Sequence, residues 1–137
     1  MKVTDKDACT GCRNCELVCS LSHEGVCGSS LARAYVEKDL FTGDYEPLMC
    51  AQCKKPKCLP ACPVEGALTV DPRTGAKVID PKVCTGCREC EKACVFAAKR
   101  SRIKYDPARN ICIKCDLCGG DPECVKVCPV TILAYEG

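Results

Sequence analysis

Cys84-Thr85-Gly86-Cys87-Arg88-Glu89-Cys90-Glu91-Lys92-Ala93-Cys94 sets four cysteines at gaps of two, two and three residues. This is iron–sulfur spacing. Three thiolates so close in sequence can wrap one face of a cubic [4Fe-4S] cluster, while the fourth, a helical turn further on, points toward a second cluster. The same phrase stands at Cys9-Thr10-Gly11-Cys12-Arg13-Asn14-Cys15-Glu16-Leu17-Val18-Cys19. The rest of the chain reads as the means of holding such clusters in a row.

The composition agrees. Of 137 residues, 18 are cysteine, only six are aromatic and none is tryptophan, so the 47% hydrophobic content overstates the apolar core. Small domains this poor in large side chains depend on disulfides or metal. A disulfide scaffold would suit a secreted chain. Here the start, Met1-Lys2-Val3-Thr4-Asp5-Lys6-Asp7, is polar and runs directly into the first motif, and no later run is long enough to insert into a membrane. A reducing cytoplasm and metal ligation are the expectation. The formal charge of +2 counts every cysteine as neutral. Four thiolate-held clusters, each roughly a dianion when oxidised, would bring the protein to about −6. Many of the 20 Lys and Arg residues then read as counter-charges. No aromatics interleave with them as in single-strand binders, so no nucleic acid is expected as a partner.

Two further motifs have a displaced third cysteine. Cys50-x2-Cys53-x4-Cys58-x3-Cys62 is followed by Pro63, and Cys115-x2-Cys118-x5-Cys124-x3-Cys128 by Pro129. The proline fixes the backbone where the last cysteine swings to a neighbouring cluster. The chain is thus an internal duplication in the order compact, looped, compact, looped, with Val64-Glu65-Gly66-Ala67-Leu68 echoed by Val130-Thr131-Ile132-Leu133-Ala134. In the last motif two registers compete, Cys112/Cys115/Cys124 and Cys115/Cys118/Cys124. The second is chosen because its five-residue loop approaches the four of the earlier looped motif. Cys112, alternating with apolar residues in Asn110-Ile111-Cys112-Ile113, then reads as strand packing.

Between the motifs, Glu16–Leu21 predicts one or two helical turns ending before His23-Glu24-Gly25. Ala32–Leu40 and Tyr45–Met49 predict a strand and its return about a turn at Phe41-Thr42-Gly43-Asp44. Ala67–Val70 and Ala76–Ile79 flank Asp71-Pro72-Arg73-Thr74-Gly75, a hairpin signature. His23 reads as a residue at a helix end, Cys27 as a thiol without a ligand partner, and the basic run Lys99–Lys104 as a solvated strand edge.

These motifs, in this order and over nearly the whole chain, resemble the four-cluster electron-transfer subunits of molybdenum and tungsten oxidoreductases. Cys9 to Gly25 and Lys114 to Val125 look most like the small iron–sulfur subunit of tungsten-dependent aldehyde oxidoreductases of anaerobes. Related subunits serve formate dehydrogenases, hydrogenases, carbon monoxide dehydrogenases and a reductase of aromatic thioesters. Val95 stands where the family usually has a proline. The resemblance implies an α+β fold of nested two-cluster ferredoxin-like halves, with short hairpins and helices. Residues 1–49 with 95–137 would form an outer half, and 50–94 an inner one. It also implies the nesting of motifs into four ligand sets: Cys9, Cys12, Cys15 and Cys128; Cys19, Cys115, Cys118 and Cys124; Cys50, Cys53, Cys58 and Cys94; Cys62, Cys84, Cys87 and Cys90. Spacing alone also allows first-with-second and third-with-fourth pairing.

Four [4Fe-4S] clusters with a cysteine on every iron leave no open position for substrate, so no catalytic residues and no catalysis by this chain are expected. Arg13, Arg88, Lys54, Lys57 and Lys114 are placed either to raise cluster potentials or simply to solubilise the surface. The resemblance implies relay of single electrons between a tungsten- or molybdenum-pterin catalytic subunit and a flavin subunit or soluble ferredoxin. If its two ends were mutually complementary, head-to-tail self-association would follow. The alternative of another class is a zinc-stabilised interaction module.

Overall fold

The computed structural model describes residues 1–137. In chain order the elements are β1 (Lys2–Val3), α1 (Asn14–Glu24), β2 (Tyr35–Lys38), β3 (Tyr45–Leu48), α2 (Cys58–Ala61), β4 (Leu68–Val70), β5 (Lys77–Ile79), α3 (Glu89–Lys92), β6 (Ile103–Asp106), β7 (Ile111–Lys114), α4 (Glu123–Lys126) and β8 (Leu133–Ala134). A 3-10 turn over Leu117–Gly120 precedes α4. The strands pair only two by two, all antiparallel: β1 with β8, β2 with β3, β4 with β5 and β6 with β7. No helix is long and apolar enough to cross a membrane.

The chain divides into two compact units, Met1–Ala51 with Asp121–Gly137, and Gln52–Gly120. In the first, α1 packs on α4, and β1 on β8. Its core holds Cys15, Cys19, Ala32, Ala34, Val36, Met49, Cys124, Ile132 and Leu133. In the second, α2 packs on α3, and α3 on β6. Its core holds Cys58, Leu68, Cys90, Ile103 and Cys112. In both units cysteines occupy places that an ordinary small domain gives to Leu or Phe.

These boundaries differ from the expected division into 1–49 with 95–137 and 50–94. The reason is the β6–β7 hairpin. Ile103 and Ile111 on it are buried, β6 packs on α3 and β7 on β5, so residues 95–120 stay with the third motif. Only α4 and β8 cross to join α1 and β1.

Local chemistry explains the elements. The β4–β5 turn closes as its sequence predicts, with the Asp71 carboxylate accepting from the Arg73 amide at 3.0 Å and the Thr74 hydroxyl at 2.6 Å. Helix α1 runs longer than the two expected turns. Ser20 inside it is fully buried, donates to the Leu17 carbonyl at 3.0 Å and accepts the Gly28 amide at 2.9 Å, which ties the following loop back onto the helix. Gly25 then ends α1 in the left-handed region (φ 72°), its amide on the Leu21 carbonyl.

The basic run departs from its reading as a solvated edge. Arg102 is buried, because β6 must turn Ile103 into the core immediately after it. Its guanidinium lies 4.6 Å from the centre of the Phe96 ring and donates to the Arg100 carbonyl at 2.6 Å.

Candidate metal centres

All four motifs share one backbone device. The residue before the second cysteine takes positive φ in each: Gly11 at 68°, Gln52 at 50°, Gly86 at 71° and Leu117 at 61°. In the two compact motifs the residue after that cysteine does so as well, Arg13 at 60° and Arg88 at 64°. Left-handed residues interposed in a tight loop turn successive amides to the same side, forming a concavity that binds anions and recurs at iron–sulfur sites. The last motif shows the device at Leu117, between Cys115 and Cys118. Lys114, which would hold this position in the competing register, lies in β7.

In the first unit Cys9, Cys12, Cys15 and Cys128 line one hollow of about 320 Å³, open solvent at its mouth included. Val36, Pro47, Val130, Ile132 and Leu133 form its apolar wall. Elements converge there for definite reasons. Cys15 is in the first turn of α1, while Cys128 follows α4, which packs against α1. Burial, with the neighbouring Glu16 carboxylate, pushes the Cys15 thiol up to about 12. An empty site is therefore protonated, and metal binding has to displace that proton. Four thiols around one hollow, a left-handed loop between the first two cysteines and an apolar wall fit a thiolate-held [4Fe-4S] cluster. None of the 18 cysteines is in a disulfide.

In the second unit Cys62 and Cys84 pack against the core formed by Cys58, Cys90 and Cys112. The Cys112 amide donates to the Cys84 sulfur at 3.3 Å. Cys90 and Cys112 share a hydrogen bond between their thiols, and this bond, with burial, drives Cys90 well above the ordinary thiol range. Cys87, like its counterpart Cys12, is exposed.

The remaining expected sets draw on both units. Within the first unit Cys19 and Cys124 share one core, and Cys50 is buried just after β3. Within the second, Cys58 opens α2 and is buried, and Cys53, Cys94, Cys115 and Cys118 are partly exposed. Two fourth cysteines receive matching backbone bonds: the Arg33 amide donates to Cys19 at 3.2 Å and the Arg102 amide to Cys94 at 3.4 Å. Burial raises the Cys19 thiol, but hydrogen bonds from His23 and the Arg33 amide outweigh it and hold Cys19 below its ordinary value. His23 sits in the last turn of α1 with Nδ1 2.8 Å from the Cys19 carbonyl. Cys27 is exposed in the loop after α1.

The cations divide. Arg13, Lys54 and Lys57 are exposed. Arg88 is also exposed, and is engaged with Glu91 at 2.7 Å while lying 5.0 Å from the centre of the Tyr105 ring. Lys114 is buried, and its ammonium donates to the Lys77 carbonyl at 2.8 Å and to Gln52 at 3.2 Å. It clamps backbone rather than solubilising a surface. Sequence reasoning missed Gln52, whose amide donates to the Cys115 carbonyl at 2.6 Å and accepts the Lys77 amide at 2.9 Å. It also missed Glu16, which is buried and accepts the Val36 amide at 2.5 Å. For Gln52 the available signal was its place, between the first two cysteines where the two compact motifs carry glycine.

Residues 41–136 match the family described as a 4Fe-4S dicluster domain. The chain is 44% identical over 123 residues to the polyferredoxin-like subunit of an aliphatic sulfonate oxidoreductase from Pyrococcus furiosus, covering 89% of this chain and 67% of that one. It is 30% identical over 152 residues to one component of the anaerobic dimethyl sulfoxide reductase of Escherichia coli, covering 96% of this chain and 70% of that component. Of another relative, the ferredoxin-like protein YdhY of Escherichia coli, it spans only half the length. Among solved structures, the active-site complex BamBC of benzoyl coenzyme A reductase with benzoyl-CoA matches with a TM-score of 0.54 at 25% identity, over 96% of this chain and 74% of that one. Motif spacing, anion-binding loops and these relatives agree, and the chain belongs to the 4Fe-4S dicluster domain family, ferredoxin-like electron-transfer proteins of oxidoreductase complexes.

Proposed function

We propose that this chain carries four [4Fe-4S] clusters, held by the four nested cysteine sets, and relays single electrons between a tungsten-pterin subunit that oxidises aldehydes and a flavin subunit or soluble ferredoxin. The observation that carries the cluster count is the backbone device repeated in all four motifs, one anion-binding loop for each set. The hollow lined by Cys9, Cys12, Cys15 and Cys128 supports the nesting of the first motif with the fourth. Leu117 at positive φ supports the Cys115/Cys118 register.

A bound cluster supplies a site that takes up and releases one electron with little rearrangement. The chain's own residues do the rest. Backbone amides at Cys19, Cys84 and Cys94 hold sulfur orientation, and Val36, Ile132 and Leu133 keep water from one face. The relatives named as parts of an aliphatic sulfonate oxidoreductase and a dimethyl sulfoxide reductase keep a second reading in play, the same relay attached to a different catalytic subunit.

Anaerobic purification tests both levels. The expected product is brown, with about sixteen irons per chain, four for each set, and with a tungsten-containing subunit copurifying. A colourless protein with stoichiometric zinc would overturn the relay. A copurifying molybdenum enzyme or hydrogenase would leave the relay standing and replace the partner.

A further inference from the structure

The two compact units repeat one construction, and their hydrogen bonds align it residue by residue. In the first unit Val36 pairs with Pro47, three residues before Cys50. In the second Tyr105 pairs with Cys112, three residues before Cys115. Arg33 and Arg102 precede Val36 and Tyr105 by the same three residues, and each donates its amide to the fourth cysteine of a compact motif. Close approaches agree too: a Cβ on Gly11 would meet the Tyr45 ring and one on Gly86 the Asn110 carbonyl, and Tyr45 and Asn110 each lie two residues before the aligned position.

At that position the correspondence fails. Cys112 donates its amide to the Cys84 sulfur at 3.3 Å. Its counterpart Pro47 is buried, lines the hollow that also contains Cys9, and has no N–H to give. A proline keeps its place in such a ladder only when its nitrogen faces away from the partner strand. A non-proline residue at 47 would therefore aim its amide at the hollow, as Cys112 aims its own at Cys84.

Resting on the ligand sets of the proposed function, we infer that position 47/112 makes two duplicated redox sites unequal. The site of Cys62, Cys84, Cys87 and Cys90 is set to a higher potential by the Cys112 amide. The site of Cys9, Cys12, Cys15 and Cys128 is held lower by Pro47. Reduction adds one negative charge that spreads over the sulfurs. An N–H dipole pointing at a ligating sulfur stabilises the reduced state more than the oxidised one and raises the potential. The amide is the part of this contact that Pro47 cannot supply, whereas the Cys112 thiol makes a separate hydrogen bond to Cys90.

The test is a redox titration of the iron-loaded protein followed by electron paramagnetic resonance, with iron content as a control. Cys112→Pro, which copies the residue tolerated at 47, should move one cluster signal to a more negative midpoint. Pro47→Ala should move a different signal to a more positive one. Cys112→Ala keeps the amide and loses only the thiol contact to Cys90, so its shift should be clearly smaller than that of Cys112→Pro. Unchanged midpoints in Pro47→Ala with full iron would overturn the inference even if Cys112→Pro failed to fold. So would a negative shift in Cys112→Ala equal to that in Cys112→Pro, because the thiol would then be the tuner. Wild-type protein without iron would sink the ligand sets themselves, a failure distinct from either.

Discussion

At the residue scale, the second cysteine of every motif depends on a left-handed neighbour, and two of these are glycines for more than conformational freedom. A methyl at Gly86 would meet the Asn110 backbone carbonyl, and one at Gly11 the Tyr45 ring, with φ near 70° at both. Gly86→Ala should therefore cost at least about 2 kcal/mol, since positive φ and a backbone clash act together. It should also lower iron content. Gly11→Ala should be milder, because a ring can shift. Gly25→Ala, also at positive φ but with open space around it, should cost about 1 kcal/mol and leave iron unchanged. Denaturation midpoints and iron-to-protein ratios separate the three. A second comparison concerns register: Cys112→Ser should keep all clusters, and Cys118→Ser should lose one cluster's iron and its signal. Opposite iron counts in the two would show the motif to be three residues out of step. The glycines were legible in the sequence because Cys-Thr-Gly-Cys occurs twice. Gln52 and Leu117 adopt the same φ without glycine, held by surrounding bonds and burial that no local pattern announces.

At the scale of elements, the hairpins show what a sequence conveys and what it withholds. The β4–β5 hairpin was readable in full, since Asp71 and Gly75 carry the turn chemistry within five residues. The β6–β7 hairpin was half readable. The alternation at Ile111-Cys112-Ile113 marked β7, but in Lys99–Lys104 the run of cations masked the point at which the strand turns inward. Ile103 is 2% exposed and packs in the core with Cys58, Leu68, Cys90 and Cys112. Basic character and burial coexist there because Arg102 lies against Phe96 and finds a carbonyl for one nitrogen, though its Nε has no partner. Ile103→Ala should thus destabilise the iron-loaded protein by about 2–4 kcal/mol, the range for truncating a buried branched side chain. Val70→Ala, at a half-exposed position on β4, should cost well under half of that. Chemical denaturation under anaerobic conditions, followed by far-UV circular dichroism, compares them directly. Equal costs would mean that the β6–β7 hairpin does not carry the core of its unit.

For the molecule as a whole, the four motifs and their order stand in the cysteine spacing itself, and each motif has its left-handed loop in the fold. The boundaries of the compact units were not legible there, because they depend on which hairpin packs on which helix. The largest side chains that are fully buried are only Leu48, Ile103, Cys112 and Ser20, a thin apolar core for 137 residues. Cysteines complete both hydrophobic clusters. What fills the space between their sulfurs therefore decides whether the chain folds, since metal bound only by the native arrangement contributes its binding free energy to folding. Iron removal by an anaerobic chelator should abolish the far-UV circular dichroism of the native protein rather than leave a folded apoprotein. It should also reverse the charge, from about −6 with four oxidised clusters to the formal +2 of the bare chain. The loaded protein should bind an anion exchanger at neutral pH and the stripped one should not. Circular dichroism unchanged after complete chelation would show that the organic core suffices. Loss of structure without any change in chromatographic charge would instead show that far fewer than four anionic clusters had been bound.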